Sequence, residues 1–270
     1  MKSANTPSIL SKIIYDKQVE VALKKQLISE SELRAAAMFK RSGISLSARL
    51  RNSDTGIIAE HKRRSPSKAV INQSLSLSEV AKGYEKAGAC GMSVLTEGKY
   101  FGGSLEDLQL ARASVNLPLL RKDFISDPYQ LLEAKAHGAD VILLIAAALS
   151  PGHTKELALQ ANDLGLEVLL EVHTAAELDS HLNDYCHMVG VNNRNLKTFE
   201  VSVETSKSLA EVIPDSFVKV SESGISDEKT ITALRPYGFR GFLVGEHFMR
   251  TEDPGQTARQ FINSLKQTAL

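Results

Sequence analysis

The sequence predicts an α/β fold, a single (β/α)8 TIM barrel with an N-terminal helical extension, on three observations. Short apolar runs recur eight times after about residue 55, at intervals of roughly 20 to 35 residues. That is the number and period of strands in such a barrel. Several runs, such as Val-Ile-Leu-Leu-Ile at 141–145, lack polar alternation, as parallel strands covered on both faces do. Stretches of helical period separate the runs. A doubly wound open sheet shares this alternation, but it normally carries a glycine fingerprint after its first strand, and none is present.

The expected strands cover 56–60, 92–96, 119–122, 141–145, 168–171, 189–192, 218–221 and 242–244. Between the first two, 77–87 reads as a helix with Leu77, Val80, Ala81, Tyr84 and Ala87 on one stripe. Another helix is expected over 128–137, opening on Asp127-Pro128, a cap followed by proline at the first helical position. Gly138, Gly165 and Gly238 sit where helices should end.

The first 50 residues fall outside this rhythm. Ile9, Leu10, Ile13, Ile14, Val19 and Val21 recur near helical spacing, and 29–38 reads as a second helix with Ser29 and Glu32 placed for a capping box. Residues 1–50 are therefore expected as a helical extension packed on the barrel and 51–270 as the barrel itself, together one domain.

The 270 residues are 43% hydrophobic and 24% charged, which is ordinary globular composition. Lys plus Arg and Asp plus Glu number 32 each, so no global field draws nucleic acid or an anionic membrane, and any anion binding is local. Cys90 and Cys186 lie far apart with no C-x-x-C spacing, and neither H-x-H nor H-E-x-x-H occurs. Two buried thiols, no metal site and a reducing cytoplasm are expected. Residues 1–8 are polar and lack a signal-peptide core. No apolar stretch approaches the roughly 20 residues that span a bilayer. Balanced charge and a self-covered barrel are compatible with a monomer.

In this fold the site lies at the C-terminal ends of the strands. The expected strands end, in turn, on Glu60 and Lys62, on Lys122 and Asp123, on Glu171, on Asn192 and Arg194, on Ser223-Gly224 and on Gly245-Glu246, with Glu222 just before Ser223. Side chains alternate across a strand, so Glu60 and Lys62 share a face with Ile58, Lys122 with Leu120, and Glu171 with Leu169. If those faces point inward, two lysines and two or three glutamates converge on one mouth. Such a cluster can hold a proton donor beside a base at neutral pH. The pattern leaves open which lysine donates. The rival reading is a solvated polar rim.

Arg63, Arg64, Ser65 and Ser67 surround Pro66 directly after the first strand, a basic loop suited to an anion. Ser223-Gly224 and Gly245-Glu246 occupy the loops where many such barrels bind phosphate through backbone amides, and 246–249 is placed for the short accompanying helix. Phe101 and Phe124 lie in loops after the second and third strands, where they can stack on a flat ring or simply pack. His61 has the opposite parity to Glu60 and is expected in the helix layer. His173 lies just past Glu171, while His137, His153, His181 and His187 fall in helical or loop contexts.

At this point the chain resembles one family. The segment I-A-E-H-K-R-R-S-P-S (58–67) is similar to the signature of the indole-3-glycerol phosphate synthases. So, in family order, are S-V-L-T-E-G-K-Y-F-G-G-S (93–104), L-R-K-D-F-I-S-D-P-Y-Q (120–130), L-L-E-V-H (169–173), V-G-V-N-N-R-N-L (189–196), V-S-E-S-G-I (220–225) and F-L-V-G-E (242–246). Even I-L-S-K-I-I-Y-D-K (9–17) resembles the family's N-terminal helix, and nothing resembling a fused isomerase follows. The resemblance implies a carboxy-lyase of tryptophan biosynthesis, closing the indole ring of 1-(2-carboxyphenylamino)-1-deoxyribulose 5-phosphate with loss of carbon dioxide and water. It implies no cofactor and a phosphorylated small-molecule partner. Carried over by position, Lys122 would be the general acid, and Lys62 would bind the substrate carboxylate or share proton donation. Glu171 would stabilise the cationic ring intermediate or act as base, and Glu60, Asn192 and Glu222 would orient hydroxyls and lysines. Ser65, Arg194, Ser223, Gly224, Gly245 and Glu246 would line the anion sites, and Phe101 and Phe124 would flank the aromatic ring. His61, Arg64, Ala69 and His247 depart from the family's usual residues without replacing a matched catalytic position. Two other readings stand beside this one: a further phosphosugar barrel enzyme, such as the phosphoribosylanthranilate isomerase of the pathway, and a phosphate-ligand-binding barrel without turnover.

Overall fold

The computed structural model describes residues 8–195 and 198–267. The polar start at 1–7 and Leu196 of the family segment 189–196 lie outside the described residues. Eight strands run in parallel: β1 (Ile57–His61), β2 (Gly91–Leu95), β3 (Leu119–Lys122), β4 (Val141–Ile145), β5 (Glu167–Val172), β6 (Met188–Asn192), β7 (Val218–Glu222) and β8 (Phe239–Val244). They pair in chain order, and β8 closes onto β1 through Ile57 opposite Phe242. Around them lie α1 (Ile9–Leu27), α2 (Glu30–Ala35), α3 (Leu46–Arg51), α4 (Leu77–Ala87), α5 (Leu105–Ser114), α6 (Pro128–Ala136), α7 (Pro151–Asp163), α8 (Ala175–His181), α9 (Glu204–Ala210), α10 (Glu228–Leu234), α11 (Glu246–Met249) and α12 (Pro254–Gln267). This is the (β/α)8 barrel that the alternation predicts.

Strand parity divides the core into two layers. Ile58, Leu120, Leu143, Leu169, Val220 and Leu243 meet inside the barrel. The alternate residues, among them Ala59, Leu119, Leu144 and Leu170, pack outward against helices. Glu60, Lys122 and Glu171 share their faces with Ile58, Leu120 and Leu169, so the inward-facing option is the one realised. His61 is buried in the outer layer, where burial, aided by the neighbouring Arg63 charge, depresses its pKa to about 4. His181 ends α8 and is buried, with Nε2 3.1 Å from the Leu149 carbonyl.

The opening helices work at both ends of the barrel. The N-terminal end is plugged by α3, whose Leu46 and Leu50 are fully buried in the interior cluster. Glu167, at the start of β5, holds it there by accepting the Leu46 and Ser47 amides at 2.9 Å each. At the other end, Ile9, Leu10 and Ile13 of α1 reach the cavity described below.

Two element ends and one buried stripe differ most from expectation. The helix expected over 29–38 begins with the Ser29–Glu32 capping box but stops at Ala35, where Ala36 turns to φ −59°, ψ 142°. Ala36 and Phe39 pack instead against Leu33, Tyr129 and Leu132, a tertiary cluster that outweighs continued helix. The last strand begins at Phe239 rather than 242, because pairing of Lys219 with Phe239 holds the exposed Arg240 within the strand. Val19 of α1 is 45% exposed, and the buried stripe of that helix is Ile13, Lys17 and Val21.

Candidate active site

At the C-terminal mouth lies a cavity of about 390 Å³, the size of a small-ligand site. Every residue to which the resemblance gives a site role lines it, from Glu60 and Lys62 around to Gly245 and Glu246; Arg63 and Arg64 of the basic loop do not, being tied to Asp107 and to the Gly98 and Lys99 carbonyls. Its floor carries the charges. Lys62 Nζ lies 2.6 Å from Glu60 Oε1, and Ser93 Oγ donates to Glu60 Oε2 at 3.3 Å. Lys122 Nζ donates to Glu222 Oε2 and stands 3.7 Å from Glu171 Oε2. Asn192 links the next two strands: its Nδ2 donates to Glu171 Oε1 at 3.1 Å, and its Oδ1 accepts Ser223 Oγ at 2.9 Å and the Arg194 amide at 3.0 Å.

Two glycines make room for this floor. A Cβ on Gly190 would stand 2.3 Å from Glu222 Oε1, and one on Gly245 would stand 2.5 Å from Glu60 Oε1. Ser223, at φ 68°, occupies the left-handed region that costs a non-glycine residue about 1–2 kcal/mol. Its hydroxyl bond to Asn192 and the bond from Asn193 Nδ2 to its carbonyl, at 3.0 Å, hold it there. Strain of this kind collects at functional sites.

One wall is apolar. Phe101 and Phe124 face each other with ring centroids 6.0 Å apart, and Ile9, Leu10 and Ile13 of α1 complete it. The opposite rim is polar, with Ser65, Arg194, Ser223, Gly224, Gly245 and Glu246. Lys68 Nζ, in the loop after β1, pairs with Glu246 Oε1 at 2.9 Å and offsets a carboxylate that would repel an anion.

The floor separates acid from base. Burial works against charge on Lys122, but Glu222, Glu171 and Glu60 outweigh it and raise its pKa above the ordinary lysine value. Glu60 is held below the ordinary range: burial opposes its charge, and Lys62 and Lys122 overcome that. Glu222 goes the other way. Burial, resisted by Lys122 and reinforced by Glu171 and Glu60, pushes it up to about 7. An ammonium that stays charged in the resting site thus sits beside a carboxyl group able to exchange a proton at neutral pH.

The model of the family described as indole-3-glycerol phosphate synthase matches residues 10–261. The chain belongs to this family. It is 51% identical over 258 residues to an indole-3-glycerol phosphate synthase of Bacteroides thetaiotaomicron, covering 96% of this chain and 99% of that one. A synthase of the same name from Bordetella pertussis is 43% identical over 251 residues, covering 92% of this chain and 96% of its own. Among solved structures, a tryptophan synthase alpha-subunit from Pyrococcus furiosus aligns with a TM-score of 0.59 at 16% identity over 79% of this chain and 98% of that one. That likeness concerns the fold alone.

The sequence reading missed several residues that shape this family site. Ser93 reaches Glu60 because pairing places it directly opposite on β2, and neither residue's local context reveals that. Ile9, Leu10 and Ile13 show helical period but not which surface they cover. Asp123, recognised only as a strand end, borders the cavity, yet its carboxylate turns away to Lys17, Arg121 and Thr96. His247 and Arg250 also border the cavity beside the polar rim.

Proposed function

We propose that the chain is an active indole-3-glycerol phosphate synthase, with the following division of labour. The substrate's carboxyphenyl ring lies against Phe101 and Phe124, and its phosphate meets the rim formed by Ser65, Arg194, Ser223, Gly224 and the amides of Gly245 and Glu246. Its ketone oxygen then points to the floor. Lys122 donates a proton to that oxygen as the ring carbon attacks. Lys62, paired with Glu60, holds the substrate carboxylate that leaves as carbon dioxide. Glu171 stabilises the cationic ring intermediate; in the dehydration Lys62, freed of the departed carboxylate, protonates the hydroxyl so that it leaves as water, and Glu171 takes the carbon-bound proton whose loss aromatises the ring. Glu222 and Asn192 keep Lys122 and Glu171 in register.

The observation that carries this reading is Lys122: a half-buried, charged ammonium between Glu222 and Glu171, at the floor of a cavity with an aromatic wall and a polar rim. It favours turnover over simple binding, because a phosphate-ligand binder has no use for an acid aimed at the middle of its ligand. We also take the chain to act as a monomer in the cytoplasm. No helix among the described residues is long and apolar enough to cross a membrane, and the free thiols Cys90 and Cys186 are buried.

The test is indole fluorescence after adding the carboxyphenylamino-deoxyribulose phosphate. The chain contains no Trp, so product emission stands on a dark background. We expect signal from wild type and at least a 100-fold slower rise from Lys122→Ala. A folded wild type that binds the substrate and gives no signal refutes the reading in favour of a binding barrel.

A further inference from the structure

The steps above leave one buried titratable group beside the floor unused. His173 follows β5 by one residue, and its side chain is 11% exposed. Its Nε2 lies 3.7 Å from Glu171 Oε1 and its Nδ1 lies 3.4 Å from Glu177 Oε2. Neither nitrogen makes a hydrogen bond, and both are out of water. A neutral imidazole in that position would strand an unpaired polar atom against a carboxylate. A ring protonated on both nitrogens meets a carboxylate at each end.

Both carboxylates are anchored independently of the ring. Glu177 Oε2 accepts the His173 backbone N–H at 2.6 Å, and the Glu177 amide donates to Thr174 Oγ1 at 3.1 Å, where Thr174 caps α8. Glu171 is held by Asn192 on one oxygen and faces Lys122 with the other. The result is a row of alternating charge leading out of the cavity: Lys122, Glu171, His173, Glu177. The remaining charged group acting on the ring is Glu222 of β7. The turn at Ala146–Ala148, packed against β5 and α8, consists of alanines and adds no charge.

The charge count of the floor gives this row a purpose. Glu60, Glu171 and Glu222 face only Lys62 and Lys122, an excess of buried carboxylate that favours protonation of one of them. A third cation behind Glu171 offsets that excess without entering the cavity, whose lining does not include His173.

We propose that His173 is a positioning residue for Glu171: as an imidazolium clamped between Glu171 and Glu177, it keeps the Glu171 carboxylate ionised and oriented for ring closure. Burial opposes charge on the ring, but the Glu177, Glu171 and Glu222 carboxylates overcome it and raise the His173 pKa above the ordinary histidine value. The inference rests on the role given to Glu171 above.

The experiment measures kcat and KM against pH for wild type, His173→Gln and Glu177→Gln, with melting temperatures alongside. The substitution removes the cation behind Glu171, so the acid limb of the kcat profile of His173→Gln should move up by about one pH unit. At pH values well below the midpoint of that limb this is a roughly tenfold loss of kcat, vanishing on the plateau at higher pH, with KM within about twofold because the ring does not touch substrate. Glu177→Gln should shift the limb the same way by less. An unmoved acid limb in His173→Gln overturns the proposal, as does a uniform loss at all pH values that tracks a lowered melting temperature. A readout independent of turnover separates this from failure of the functional reading. The NMR titration midpoint of His173 should fall by about one unit in Glu171→Gln, and an unchanged midpoint overturns the coupling even if the enzyme is active.

Discussion

Replacing Lys17 by Met tests how the N-terminal helix is fastened beside the catalytic floor. Lys17 lies on a helix outside the barrel, yet its side chain is only 2% exposed, with Nζ 3.1 Å from Asp123 Oδ1 and 2.8 Å from Glu20 Oε2. Asp123 is the neighbour of Lys122. Its second oxygen accepts Thr96 Oγ1 at 2.6 Å and Arg121 Nη2 at 3.0 Å, and Arg121 continues to Glu133 at 3.1 Å. Methionine keeps the aliphatic stem and removes the charge. Deleting one partner of a buried pair costs roughly 3–5 kcal/mol, and because Arg121 and Thr96 remain, the lower end, about 3 kcal/mol, is expected. In a chain of this size that lowers the melting temperature by roughly 6–12 °C, as followed by far-ultraviolet circular dichroism. The pH dependence has a defined sign. Burial opposes charge on Asp123, and Lys17 and Arg121 outweigh it, so its pKa lies below the ordinary aspartate value of 3.8. Its stabilisation is present above that value and is lost as pH falls further, so wild type and variant should converge in strong acid. A drop below about 2 °C at neutral pH, or a gap that persists unchanged in acid, would refute the reasoning.

Other perturbations probe separate parts of the molecule. Leu50→Ala opens a cavity in the fully buried plug at the far end of the barrel; urea melts should show a loss of roughly 2–5 kcal/mol with kcat nearly unchanged. Gly190→Ala drives a methyl into Glu222 Oε1 and moves the partner of Lys122, so kcat should fall on the order of 100-fold. Glu222, at about 7, binds a proton in the folded state over the interval from its ordinary 4.5 upward. Wild-type stability should therefore decline with pH across that window, and the decline should vanish in Glu222→Gln when unfolding is measured at a series of pH values. If residues 1–50 and 51–270 form one domain, probes on α1 and on β5 should report a single melting transition.

The barrel was legible because its strands are buried on both faces, which writes them as short runs such as Val-Ile-Leu-Leu-Ile whatever their partners are. Caps are equally local: Ser29 and Glu32, or Asp127 and Pro128, satisfy helix ends within one turn of chain. Side-chain parity is a property of any strand, so Lys122 and Glu171 could be assigned to the face of Leu120 and Leu169 before that face was known to be the interior. Pairings across the fold left no such trace. Lys17 meets Asp123 and Ser93 meets Glu60 only because barrel closure and the seating of α1 bring these groups within a few ångströms of each other. The sequence by itself determined the elements, their order and the ring of charge at one end, since these follow from local periodicity. The tertiary structure decided which charges neutralise one another, because burial and distance, the quantities that set those energies, exist only once the chain has closed.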